Sequence, residues 1–583
     1  GRALRAQAAR AVSRARAALP DRARRRAQAE GDFLHSRRGL SGRRTQARAV
    51  GTRGPGHAGG GDRAERRVAR KGEVQHAGGA RPRWRALRVR RRRQPLRRLR
   101  GRARHPHAAA RGRAVTDRAR HPGAATRLSR RAQKGHGRGQ AAQSGEIGDG
   151  GVGKMSQLHF GRYRHDYRLT HYLFRFPAKF HPPAIRCLID LYSKQGDLIL
   201  DPFCGSGTLL VEALIAGRSA VGVDIDPVAT FISRVKSRPI PPKRLEADFQ
   251  SLTEALRKIR RSAPEYNRLI HEDLSPAAIS RWGRILRIPA IPNIEHWFRV
   301  YVTLDLAKLR NSILQCNFDS QVRDFFLGCF ASVIRNASNA DPVPVSGLEV
   351  TAHMRQLDKK GRRIDPFELF ERRVQREIKG MRELWEHKKR SSVRVMRGDA
   401  TTLRSKLGSS KVDVVITSPP YNTAVDYYRR HMLEMYWLGL VKSKEERLAL
   451  SRYYLGREQV RKNHPRLRTE FKNQYVSRLI AHARQISAGR ERAVTHYCAS
   501  MQRALNQVAG VLKTRGQAVF VVGNAKWNGR RVKATKLLIE LSKPHFDVVE
   551  CISYASRNRY MSYKRHNGAD VNREHVIVLK KRK

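Results

Sequence analysis

The chain has 583 residues, with 121 Lys and Arg against 49 Asp and Glu, a formal net charge of +72. That length admits several domains, and the charge points to a polyanionic partner. Six scattered cysteines with no Cys-x-x-Cys pair, and no His cluster at metal spacing, exclude a zinc site and argue for a reducing compartment, so no metal is expected.

The charge is unevenly spread. Residues 1–154 are dominated by Arg, Ala and Gly, with runs such as RVRRRRQPLRRLRGRARH, and contain no Met, Asn, Tyr or Cys. Such a segment cannot build a core. It reads either as a disordered basic arm that binds nucleic acid through phosphates, or as no natural domain at all. The second reading rests on the near absence of residues with AT-rich codons, as in a GC-rich gene translated out of frame or upstream of its start. Met155 is the first methionine, and ordinary globular sequence follows it. No apolar run approaches the ~20 residues of a membrane span, and the N-terminus lacks a signal-peptide core. A cytoplasmic protein without membrane contact is therefore expected.

From residue 155 to 238 the pattern predicts helix Pro183–Tyr192, strand Leu198–Asp201, a glycine turn, helix Thr208–Ala216 and strand Ala220–Asp224, a βαβ unit with a parallel sheet. Residues 239–391 lose that alternation and read as a largely helical inserted domain, too long for a loop and a candidate for target recognition. The catalytic pattern resumes over 392–583. It brings strands at Val393–Met396 and Val412–Ile416, a helical candidate over DYYRRHMLEMYWLGL, and a basic insertion at 441–492 that is a second candidate for target recognition. The chain finishes with helix His496–Leu512, strand QAVFVVGN, a helix near Ala534–Ser542, and a hairpin of FDVVECISY and EHVIVLKK.

Two stretches carry the chemistry. In DPFCGSGT, Asp201 ends a strand, Gly205 and Gly207 permit tight backbone geometry, and a helix opens at Thr208. The third glycine of a dinucleotide fingerprint is missing, with Leu210 in its place. The strand that follows ends in GVDIDP, whose carboxylate suits the two hydroxyls of a ribose; Asp224 is the first choice and Asp226 the second. In VDVVITSPPYN an apolar, β-branched strand is stopped by Pro419 and Pro420, which leaves Ser418 and Tyr421 at a carboxyl end, where open α/β sheets bind ligands.

Together these motifs resemble the S-adenosylmethionine-dependent amino-methyltransferases of DNA, the cytosine-N4 and adenine-N6 family. The segment FPAKFHPP with Phe176 and Phe180, the loop from Phe203 to Gly207, the ribose acid Asp224, the GDA acid Asp399 near the adenine, and the catalytic Ser418, Pro419, Pro420 and Tyr421 all have counterparts there. The resemblance covers about half of 155–583 and leaves the insertions unexplained. It implies a Rossmann-like class I methyltransferase sheet, mostly parallel with a C-terminal antiparallel hairpin. S-adenosylmethionine is the implied cofactor and DNA the partner, with a cognate restriction endonuclease left open.

The implied chemistry fits the residue types. The lone pair of an exocyclic amine is delocalised into its ring, so Ser418 Oγ and the Pro419 carbonyl would accept its two hydrogens and favour a pyramidal, nucleophilic nitrogen. Tyr421 would stack a base rotated out of the duplex. Serine at the first motif position favours cytosine N4 over adenine N6. RNA base and protein glutamine methyltransferases, and a non-catalytic DNA-binding protein, are the rival readings. No Pro-Cys dipeptide occurs, which counts against carbon-5 cytosine chemistry. Cys204 reads as a small packing residue, Trp282 and Trp297 as core of the insertion, and Arg557, Arg559 and Tyr560 as either phosphate contacts or solvated side chains.

Overall fold

The structure, a computed structural model, describes residues 156–157, 168–342, 348–408, 411–421, 426–457, 459–527, 530–555 and 573–583. The arginine-rich segment 1–154, and Arg557, Arg559 and Tyr560, lie outside the described residues.

The strands, in chain order, are β1 (Ser156–Gln157), β2 (Leu198–Asp201), β3 (Ser219–Asp224), β4 (Val393–Arg397), β5 (Val412–Thr417), β6 (Leu512–Gly523), β7 (Ala525–Trp527), β8 (Arg530–Val532), β9 (Phe546–Ala555) and β10 (Arg573–Lys581). Eight of them form one sheet in the order β1-β9-β10-β6-β5-β2-β3-β4, while β7 and β8 pair as a separate hairpin. All pairings in the sheet are parallel except those of β10, which runs antiparallel to both β6 and β9. This is the Rossmann-like class I methyltransferase arrangement with its antiparallel last strand. The order reverses between β2 and β5, since β3 and β4 lie to one side and β6 to the other. A crevice at that switch point follows from the topology.

Sequence explains the centre of the sheet. Val412, Val414, Val415 and Ile416 of β5 and Ile199 and Leu200 of β2 are buried, as expected for parallel strands covered on both faces. The helix Thr208–Ala216 is buried at every position and has no polar face, because it is covered all round. Leu209, Leu210 and Ala213 join the core beside Ile185, Leu188 and Ile189 of the helix Pro182–Tyr192. Val211, Leu214 and Ile215 point into a second core. Its buried acid, Glu212, holds His171 Nε2 at 2.7 Å.

That second core belongs to the helices between β3 and β4. Among the described residues, eight of them follow the helix Pro227–Lys236, from Pro242–Arg257 to Pro366–His387. Tyr266, Tyr301, Phe325, Phe326, Phe330, Phe367 and Phe370 are fully buried there, and each such ring contributes about 1.5–3 kcal/mol of burial. The same cluster takes in Phe231 and Val235 of the helix before it and Leu433 and Trp437 from beyond β5. The insertion thus shares one core with the helix layer of the sheet. Trp297 packs against that core, but Trp282 is 39 % exposed, which corrects its assignment to the core. It lies on Ala277–Leu286, a helix with no buried residue, where Arg281 stacks over its ring.

Three elements differ from the sequence reading by more than a single terminal residue. The helical candidate at 426–440 is two short helices, Tyr427–Arg430 and Met432–Trp437, broken at His431, whose ring is turned to Asp226. The helix placed at His496 starts at Ala488, so the boundary drawn at 492 falls inside it. β6 opens at Leu512 rather than Gln517, but its register against β5 jumps from Val412↔Leu512 to Val414↔Gln517. The exposed residues Lys513, Thr514 and Arg515 are looped out at that irregularity, which hides the strand from pattern reading.

Candidate active site

The carboxyl ends of β2 and β5 are laced together by their own side chains. Thr417 Oγ1 donates to Asp201 Oδ1 at 2.6 Å, and the Phe203 amide donates to the same oxygen at 3.2 Å. Burial pushes the Asp201 carboxyl up to about 7. Asp201 therefore fixes the start of the glycine loop relative to the Ser-Pro-Pro-Tyr turn from behind.

Gly205 and Gly207 are both left-handed, at φ 48° and 72°. A Cβ on Gly205 would come within 3.2 Å of the Phe176 ring, and one on Gly207 within 3.0 Å of the Ser233 backbone. At both positions the space a side chain would need is already taken, by the Phe176 ring and by Ser233. The carbonyls of the loop are tied backward: Ser233 Oγ donates to Gly205 O at 2.7 Å, and the buried Lys236 Nζ donates to Ser206 O at 2.5 Å. Burial holds that ammonium well below the usual lysine range. Cys204 is buried against Ser233, in keeping with a packing role.

Asp224, at the end of β3, accepts from the amides of Gly205 and Asp226, each at 2.9 Å. Burial, then the neighbouring Asp226 carboxylate, pushes it up to about 7. Asp226 is 2 % exposed and differently employed. Its Oδ1 caps the helix Pro227–Lys236 through the amides of Val228 and Ala229, and its Oδ2 meets His431 Nδ1 at 2.7 Å. Both acids border the cleft, but Asp224 is half-buried whereas both Asp226 oxygens are already engaged.

These elements surround one open cleft. Phe176, Phe180, Phe203, Gly205, Thr208, Asp224, Asp226, Asp399, Ser418, Pro419, Pro420 and Tyr421 line it, so twelve of the sequence candidates converge on one opening. Asp201 and Gly207 stand behind it and shape the loop. Phe176 stacks on Tyr427 with ring centres 5.3 Å apart and planes 23° off parallel. Asp399 caps the turn Ala400–Thr402 through the Thr401 amide at 2.8 Å, and its other oxygen accepts from Arg466 at 3.2 Å.

On the β5 side, Ser418 is half-buried and Pro419 buried. The Tyr421 hydroxyl lies 3.5 Å from Glu574 Oε1 at the start of β10, and Tyr554 donates to the other oxygen of that carboxylate. Burial, then the Glu574 charge, hold the Tyr421 phenol well above its usual range, so it stays protonated. Gly456, at φ 76°, lies so close to the Tyr421 carbonyl that a Cβ there would sit 2.8 Å from it.

Sequence reasoning missed Lys179, Tyr427, Tyr453, Tyr454 and Leu455, which also line the cleft, and Glu574 and Arg466, which hold residues that do. A signal existed for Tyr427, an aromatic residue six positions after Tyr421. Lys179 lies inside FPAKFHPP, a stretch the sequence already singled out, whereas Tyr453, Tyr454, Leu455, Arg466 and Glu574 carry no such signal and arrive from 32 or more residues beyond Tyr421.

Residues 149–233 match the model of a DNA methylase family, N6_N4_Mtase. The chain is 25% identical over 397 residues to the type II methyltransferase M.MvaI of Kocuria varians, covering 65% of this chain and 82% of that protein. It is 24% identical over 296 residues to the type II methyltransferase M.BsoBI of Geobacillus stearothermophilus, covering 47% of this chain and 53% of the other. A shorter match, 42% over 73 residues, 12% of this chain and 20% of the relative, is to a tRNA (guanine(10)-N2)-dimethyltransferase of Methanothermobacter thermautotrophicus.

Proposed function

We propose, from the premise that the chain is an S-adenosylmethionine-dependent amino-methyltransferase of the N6/N4 DNA family, that it methylates cytosine at N4 in DNA. The observation that carries this reading is the half-buried Ser418 at the carboxyl end of β5, facing the same cleft as the glycine loop and Asp224.

The cleft fits the cofactor on two counts. The left-handed turn at Gly205 and Gly207 brings the loop backbone, without a side chain at Gly205, to the cleft wall, and Asp224 offers a carboxylate to ribose hydroxyls. Phe176, Phe180, Phe203 and Asp399 complete its wall, and Thr208 opens the helix behind the loop. The cofactor supplies an electrophilic methyl group on a sulfonium. The rest is done by the chain's own residues, and positioning supplies most of the acceleration. Ser418 Oγ and the Pro419 carbonyl accept the two hydrogens of the amine, and the paired prolines hold that carbonyl rigid. The Tyr421 ring gives the extruded base a face to stack on, with its hydroxyl steadied by Glu574.

Two results test these assignments. Tyr421→Phe should keep most of the activity, because the ring remains, whereas Tyr421→Ala should lose about 1–3 kcal/mol of base stacking, roughly 5- to 150-fold in kcat/KM. Equal losses would assign the hydroxyl the working role. Nucleoside mass spectrometry of DNA treated with the protein should show N4-methylcytosine. N6-methyladenine would keep the reaction class and overturn the base, and transfer to RNA or protein alone would overturn the substrate. Serine as first acceptor, in place of Asp or Asn, supports cytosine, and the resemblance to type II methyltransferases leaves a cognate endonuclease open as a partner.

A further inference from the structure

The basic stretch 441–492 was expected to read DNA, yet part of it faces inward. Tyr453, Tyr454 and Leu455 line the cleft itself. Gly456 abuts the Tyr421 carbonyl, and Arg457 stacks over Tyr428 and pairs with Asp426 at 3.6 Å, so this segment grips the end of the catalytic turn and residues that follow it. Farther along, Arg466 crosses to the opposite end. Its Nη2 donates to Asp399 Oδ2 at 3.2 Å and Thr401 Oγ1 at 2.9 Å, and its Nη1 to Ser500 Oγ at 2.8 Å.

The local sequence holds that arginine in place. Pro465 occupies the first position of the short helix Pro465–Arg468, and His464 caps it by accepting from the Arg466 amide at 3.2 Å. The side chains of Arg466 and Asp399 are 11 % and 12 % exposed. A guanidinium spread over three internal acceptors is withdrawn from solvent and from phosphate.

We propose that residues 451–457 and 464–468 strap the cleft shut from the side, and that Arg466 is a positioning residue that orients the Asp399 carboxylate toward the adenine end of the cofactor. Asp399 Oδ1 is occupied by the Thr401 amide and Oδ2 by Arg466. Each oxygen keeps one lone pair, and the rotamer of this carboxylate at the cleft wall is fixed from two sides. The strap joins this acid to the catalytic turn, so part of the basic insertion serves the cofactor and not the DNA. The inference rests on the cofactor cleft described above.

The test is calorimetric titration of the full chain with S-adenosylhomocysteine, which needs no turnover, alongside binding of a DNA duplex without cofactor. Arg466→Gln should raise the Kd for S-adenosylhomocysteine about tenfold and Arg466→Lys less, while Arg466→Gln combined with Asp399→Asn should be no weaker than the worse single variant. Duplex affinity should stay within about twofold at every salt concentration. An unchanged Kd, or additive losses in the double variant, would overturn the proposal. So would weaker duplex binding with a reduced salt slope, which would make Arg466 a phosphate contact. Failure of the unaltered chain to bind S-adenosylhomocysteine would be a different result, sinking the cofactor reading and this inference together.

Discussion

Ser418→Ala should lower kcat by roughly 10²- to 10³-fold, the usual cost of removing one preorganised hydrogen-bond partner from a developing charge, while leaving the Kd for S-adenosylhomocysteine nearly unchanged. Ser418 sits at the end of β5, and the glycine loop sits at the end of β2. The tether that aligns the two is Thr417 to Asp201, one residue before Ser418, and it is untouched by the substitution. Loss of Ser418 Oγ thus removes an acceptor for the amine without moving the cofactor wall. Single-turnover methyl transfer, measured with cofactor binding on the same preparation, checks both halves. Unchanged turnover would remove the amine clamp from the account, and a parallel loss of binding would show that the substitution disturbs the loop.

Asp224→Ala should act on the other side of the cleft. Two ribose hydroxyls donating to a carboxylate are worth about 1.5 kcal/mol each at the low end for bonds to charged groups, so the Kd should rise by roughly two decades. The substitution also strips the acceptor from the Gly205 amide, which loosens the loop in the same direction. A pH dependence follows with a definite sign. Burial and Asp226 push the Asp224 carboxyl up to about 7, so below that pH it is protonated and offers fewer acceptors. Cofactor affinity should therefore be weak in mild acid and strengthen as pH rises through about 7, and Asp224→Asn should flatten the profile. A Kd that is level between pH 6 and 8, or that falls with acid, would mean another group holds the ribose.

The motifs were legible because each is a local instruction with a topological consequence. An apolar strand stopped by two prolines, and a strand followed by left-handed glycines, can be read from a dozen residues each, and a parallel sheet then brings both ends to one edge. What supports them was not legible. Glu574 reaches Tyr421 across 153 residues and Arg466 reaches Asp399 across 67, and in sequence each is one ionisable residue among many. Trp282 misled for a related reason. Large aromatic residues are usually core, and only the helix packing shows that Ala277–Leu286 turns this one outward. Asp224 and Asp226, two residues apart, look alike in sequence, and only the structure shows that a helix cap and His431 occupy the second.

The most direct test of the central claim, that one cleft between β2 and β5 holds both the cofactor and the reacting amine, is photo-crosslinking of methyl-labelled S-adenosylmethionine to the full chain, followed by peptide mapping. The account predicts label on peptides carrying residues 418–421, 176–180 or 203–208, with protection by S-adenosylhomocysteine. Protectable label confined to the helical insertion, or to any segment away from that edge of the sheet, would contradict it.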